Sequence, residues 1–144
     1  MDTKERILVS ACLLGVPCRY DGKSVPCEGV IRLKERAQLV PVCPEQLGGL
    51  ATPRTPAERR GESVVMRDGK DVTAQYRRGA QEALRLARLF GCAKAILKSR
   101  SPSCGCGLIY DGSFSGKLIP GEGVTARLLR ENGVEVRGEM DASR

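Results

Sequence analysis

The chain has 144 residues, 41% hydrophobic and 28% charged, with a formal net charge of +7, enough to bury one sizeable core without staples. Three Tyr, two Phe and no Trp argue against a nucleic-acid binder built on base stacking. The absence of histidine excludes Cys/His zinc sites, Cys–His nucleophilic pairs and a histidine general base, so acid–base work falls to Glu, Asp, Lys, Tyr, Ser or Cys.

No apolar run is long enough to cross a membrane, and the charged stretch Met1–Arg6 lacks the apolar core of a signal peptide. A cytoplasmic setting is therefore expected, with its thiols reduced. Seven cysteines there point to metal or catalysis rather than disulfides. The basic balance suits an anionic partner, a nucleotide phosphate or RNA, and equally suits a surface that only keeps the protein dissolved.

In chain order, Ile7-Leu8-Val9-Ser10-Ala11 reads as a first strand and ends at Cys12. Gly15, Pro17 and Asp21-Gly22 mark a loop, and Val30, Leu33 and Ala37 recur at helical spacing across residues 28 to 37. Leu39-Val40-Pro41-Val42 is a second strand ending at Cys43-Pro44-Glu45. Residues 46 to 54 are too rich in glycine and proline to be regular, and residues 55 to 62 read as solvated. Val64-Val65-Met66 with Asp68-Gly69 suggests a hairpin-like excursion.

The clearest helix spans about 73 to 90, with Asp71 or Thr73 as cap and Gly91 in the place of a C′ glycine. Tyr76, Ala80, Ala83, Leu84, Ala87 and Phe90 form its apolar stripe. Lys94-Ala95-Ile96-Leu97 is a buried strand that stops in the loop Lys98–Gly107, where Gly105 and Gly107 allow close backbone approach. Leu108-Ile109-Tyr110 and Lys117-Leu118-Ile119 flank another loop. A last helix at about 124 to 132 and a strand at 134 to 136 complete the alternation, with a frayed tail expected after Gly138. The fold class is α/β: one domain over residues 1–144 with a mainly parallel, Rossmann-like sheet.

Cys12, Cys43 and Cys104 each follow the C-terminal end of a strand, and in a parallel sheet those ends share the edge where ligands bind. Cys92 precedes its strand and belongs to the opposite edge; Cys18, Cys27 and Cys106 lie in the loops. Three thiolates suit an iron–sulfur cubane with one open iron. Zinc remains open if Cys18 or Cys106 adds a fourth ligand, and Cys104-Gly105-Cys106 offers a dithiol with one residue fewer than the usual redox motif.

At these residues the sequence resembles the thiouracil desulfidase (TudS) family. The matching segments are Ser10–Gly15, Arg19–Gly22, Cys43–Leu50, Pro53-Arg54, Asp71–Thr73, Gly79-Ala80, Leu97–Gly105 and Tyr110–Gly116, in order over nearly the whole chain. The resemblance implies a [4Fe–4S] cluster on Cys12, Cys43 and Cys104 with one open iron, and non-redox removal of sulfur from thiolated uracil bases or nucleotides. It also carries the family's catalytic glutamate and serine onto Glu45 and Ser101. In the chemistry expected from this, the open iron polarises the thiocarbonyl, Glu45 activates a water, Ser101 orients the ring or carries a proton, and sulfide leaves. Arg19, Arg54, Lys98, Arg100 and Ser103 are the candidate substrate contacts. Two competing readings are a non-enzymatic iron–sulfur or zinc module that senses redox state or binds RNA, and the same chemistry on thiolated tRNA uridine. A free base or mononucleotide ranks ahead of RNA on size and aromatic content, and no membrane partner is expected.

Overall fold

A computed structural model describes residues 4–142. Four strands, β1 (Glu5–Ser10), β2 (Ala37–Val42), β5 (Lys94–Leu97) and β8 (Glu135–Gly138), form a parallel sheet in the order β2-β1-β5-β8. Two antiparallel pairs stand outside it: β3 (Ala57–Arg60) with β4 (Ser63–Met66), and β6 (Leu108–Tyr110) with β7 (Leu118–Pro120). The helices are α1 (Glu28–Ile31), α2 (Pro44–Leu47), α3 (Thr73–Phe90), α4 (Val124–Glu131) and α5 (Glu139–Ala142). The expected α/β architecture holds, and no described helix is long and apolar enough to cross a membrane.

Strand alternation divides the core into two layers. Leu8, Ala95 and Leu97 pack with Ala83, Leu84 and Ala87 of α3 and Ala126 and Leu129 of α4. Ile7, Val9 and Ile96 face the other way, onto Leu13, Val30 and Leu33. Both faces of the central strands are buried, which is why β1 and β5 read as unbroken apolar runs. In α3 the buried stripe is Tyr76, Gly79, Ala80, Ala83, Leu84 and Ala87, closed at Gly91 with φ 68°. Phe90, placed in that stripe from its spacing, is instead exposed. The cap residue is Val72, which has no side-chain cap bond, while Asp71 Oδ1 accepts the Thr73 amide at 2.8 Å.

Several boundaries differ from the sequence reading. The helix expected over 28 to 37 ends as a 3₁₀ turn at Arg32–Glu35, because Ala37 is already paired with Glu5. The stretch 55 to 62 is not simply solvated: β3 uses its charged residues as tertiary ties, with Arg59 Nη1 donating to the Glu122 carbonyl and Arg60 Nη2 to the Gly112 carbonyl at 2.9 Å. The fraying expected after Gly138 does not begin at Glu139–Ala142, which forms α5. There Glu139 accepts the Ser99 amide at 2.8 Å and the Ser99 hydroxyl at 2.7 Å. Residues 143 and 144, also in that expected tail, lie outside the described residues, as do Met1–Thr3.

The approach of α2 to α3 is a backbone contact. A Cβ on Gly79 would lie 1.9 Å from the Pro44 carbonyl oxygen, and one on Gly48 would lie 2.0 Å from that of Gln75. Gly79→Ala is therefore expected to cost about 2 kcal/mol or more by forcing the helices apart, read as a lowered thermal melting temperature; an unchanged melt would show that this contact can relax freely. Glu139 generates a second expectation. Burial opposes its charge, but the Ser99 bonds and Lys98 outweigh that and hold its carboxyl below the ordinary 4.5. Its stabilising effect is thus present above about pH 4.5 and fades as pH falls through the folded-state value. The stability gap between wild type and Glu139→Gln should be visible at neutral pH and narrow as the pH is lowered; a gap that stays constant throughout the acid range would contradict it.

Candidate active site

The C-terminal ends of β1, β2 and β5 open onto a cavity of about 530 Å³. Cys12 enters it from the 3₁₀ turn Ala11–Leu14, Cys43 from the residue before α2, and Cys104 from the loop after β5. Three residues far apart in sequence meet there because their strands are parallel and adjacent in the sheet. Cys18 lines the same cavity, 2% exposed, and its thiol interacts with those of Cys12 and Cys43. Cys106 is turned elsewhere, with Sγ 3.8 Å from the Val136 carbonyl, and Cys92 lies before β5 at the far edge.

The loop carrying Cys104 is fixed largely by main-chain bonds. The Gly105 amide donates to Ser101 O at 2.8 Å. The amides opening α4 at Val124 and Thr125 donate to Pro102 O at 2.9 Å and Ser103 O at 2.8 Å. Gly123 is required here, since a Cβ on it would lie 2.3 Å from the Ser103 carbonyl. Ser101 Oγ accepts the amides of Ser103 at 3.1 Å and Cys104 at 3.0 Å, so its own proton is left to donate into the cavity that Ser101 lines.

Glu45 is gripped at one oxygen. Its Oε2 accepts from Arg54 Nη2 at 3.0 Å, Arg54 Nε at 3.2 Å and the Tyr76 hydroxyl at 2.9 Å. Burial, then the charge of Glu45, pushes the Tyr76 phenol above its ordinary range, so it stays protonated as a donor. Tyr76 was legible only as part of the α3 stripe; nothing in its spacing marked its hydroxyl as a partner of Glu45. Arg54, expected to meet an anion from outside, spends its guanidinium inside the protein on Glu45, Thr52 and the Cys18 carbonyl.

The other expected substrate contacts separate. Arg19 and Arg100 line the cavity; Arg19 is loosely paired with Asp21 at 3.9 Å. Lys98 also lines it, yet its Nζ stands 3.6 Å from Glu139 and donates to Ser99 O at 3.1 Å. Ser103 is the correction: it is 1% exposed, its hydroxyl lies 2.8 Å from that of Thr125 and 3.9 Å from Cys104 Sγ, and it does not line the cavity. Arg67 and Phe114, which sequence reasoning did not single out for the site, do line it.

Among the described residues, no three or more Cys, Asp or Glu gather as the ligands of a single ion would. Thiols spread round a cavity, with no imidazole among them, fit instead a polynuclear iron–sulfur group whose ligands go to different irons. Burial pushes the Cys104 thiol up to about 12, and the Cys18 contact followed by burial pushes Cys43 up further. Such thiols become thiolates when a cationic centre replaces their protons.

The chain is similar to known proteins over nearly its whole length. A solved structure described as a [4Fe–4S]-dependent thiouracil desulfidase, TudS, superposes with a TM-score of 0.91 at 50% identity, covering 96% of this chain and 93% of that one. The uncharacterized protein YbbK of Bacillus subtilis (strain 168) is 45% identical over 145 residues, 94% of this chain and 96% of that protein. A family model for 2-thiouracil desulfurase matches residues 7–141. With nearly its whole length matched, the chain belongs to the 2-thiouracil desulfurase family.

Proposed function

We propose that this protein is a [4Fe–4S]-dependent desulfidase that converts the thiocarbonyl of a thiolated uracil base or nucleotide into a carbonyl. The observation that carries the reading is the cavity that Cys12, Cys43, Cys104 and Glu45 line together. Cys12, Cys43 and Cys104 would hold the cluster, which when bound supplies a Lewis-acidic iron that accepts the substrate's sulfur.

The reaction balances without electrons: water provides the carbonyl oxygen and two protons, and sulfur departs as hydrogen sulfide. Glu45 is suited to take the first proton. Arg54 and Tyr76 fix Oε2, leaving Oε1 outside that set of bonds and able to reach a water. Ser101, with its oxygen saturated by two amides, donates its hydroxyl proton to the ring or to the departing atom. Cys18 is not assigned as a ligand. It stands in the loop after Cys12 rather than at the end of a strand.

The test is loss of the thiocarbonyl absorbance of 4-thiouridine monophosphate and 2-thiouracil by anaerobically reconstituted protein, with iron and sulfide measured on the same sample. Glu45→Gln should keep its iron and lose turnover by about a hundredfold or more. Cys12→Ser, Cys43→Ser or Cys104→Ser should lower the iron content, whereas Cys18→Ala should retain it. Uptake of zinc in place of iron, or a fully loaded cluster with no turnover on either compound, would sink the proposal.

A further inference from the structure

Among the described residues three serine or threonine side chains are buried, Ser10 at 3%, Ser103 at 1% and Thr125 at 0% exposure, and all three gather around Cys104. Buried hydroxyls persist where each has a partner, and here the partners fix which way every proton points. Thr125 Oγ1 has one hydrogen-bond partner among the described residues, Ser103 Oγ at 2.8 Å. With no other acceptor in reach, Thr125 donates its proton to Ser103. Ser103 must then pass its own proton on, and the atom left to take it is Cys104 Sγ at 3.9 Å. The main chain holds the pair in register, since the Ser103 carbonyl accepts the Thr125 amide at 2.8 Å.

Ser10 completes the arrangement from the end of β1. Its oxygen accepts the Lys98 amide at 2.9 Å, which leaves its proton for the Cys104 sulfur that it also meets. Cys104 Sγ is therefore offered two hydroxyl protons. A neutral thiol is a weak acceptor and gains little from them, whereas a thiolate gains two charge-assisted bonds. Burial opposes a negative charge on Cys104, and the two hydroxyls work against that opposition. Cys43 is served differently, by the main-chain amide of Gln46. The buried hydroxyls are thus concentrated on one sulfur, in its ionised form.

We infer that Ser10 and Ser103, the latter oriented by Thr125, are positioning residues that donate hydrogen bonds to the thiolate of Cys104 and so set the potential and the retention of the iron–sulfur cluster. The inference rests on the reading of Cys104 as a cluster ligand and goes beyond it, to the residues that tune that ligand. A hydrogen bond draws charge off a ligand sulfur, which leaves its iron more electron-poor and favours the reduced form of the cluster.

The experiment measures the midpoint potential of the reconstituted [4Fe–4S] cluster, by redox titration followed by electron paramagnetic resonance, and the rate at which iron passes to a chelator. Ser10→Ala and Ser103→Ala should each move the midpoint to a more negative potential and release iron about tenfold faster. Thr125→Val, which keeps the side-chain shape and removes the donor to Ser103, should move the midpoint the same way, and Thr125→Ser should hold the wild-type value. Thermal melts identify any serine variant that fails to fold, and Thr125→Val then decides. Loss of iron from a variant that melts like wild type is the same effect in its extreme form and supports the inference. Potentials and release rates equal to wild type in the folded variants overturn it and leave the desulfidase reading intact. A loaded wild-type cluster without turnover falls on the desulfidase reading alone, since the potentials still decide the inference. Wild-type protein that assembles no [4Fe–4S] cluster overturns both.

Discussion

Much of the site depends on one place where two backbones touch. Gly48 and Gly79 let α2 sit against α3 without an intervening side chain, each lying against a carbonyl of the opposite helix. That contact fixes Cys43 and Glu45, which flank Pro44, relative to Tyr76 on α3. A wider separation would carry the carboxylate away from the phenol and turn the Cys43 thiol out of line with Cys12 and Cys104. Geometry at the reacting end is therefore set by close packing some residues away, where no polar chemistry takes place.

Around Glu45, charge and hydrogen bonding divide the labour between two oxygens. Arg54 neutralises the carboxylate and, through the Cys18 carbonyl, ties the loop after β1 to the segment after α2. Tyr76 adds a donor that burial keeps protonated. A carboxylate held in this way is fixed in orientation, which is what the proton acceptor of the proposed reaction requires.

The parallel sheet and the placement of Cys12, Cys43 and Cys104 were legible because strand alternation, glycine punctuation and the position of each cysteine after its strand all agree. The short elements were not. Residues 55 to 62 looked solvated because Glu58, Arg59 and Arg60 are charged, and only the folded chain shows those charges holding a loop over fifty residues distant. Ser103 looked like a contact because it sits among reactive neighbours, yet its hydroxyl is turned to Thr125 and the Cys104 thiol inside the scaffold. Arg54 and Lys98 were recognisable as cations near the site, but a linear sequence does not say that Glu45 and Glu139 stand beside them. Long-range pairing of charges is the information that periodicity leaves out.

The main-chain suturing of the Cys104 loop to the start of α4 bears on how this architecture can change over generations. Its shape is written mostly in amides and carbonyls, together with glycines at 105 and 123, with Ser101 Oγ bonding two of the amides. A segment built so can drift at positions such as Cys106 while its neighbours keep their places. The sheet edge thus offers a stable frame on which ligand and substrate preferences can be re-edited by single exchanges, with little penalty to the fold beneath.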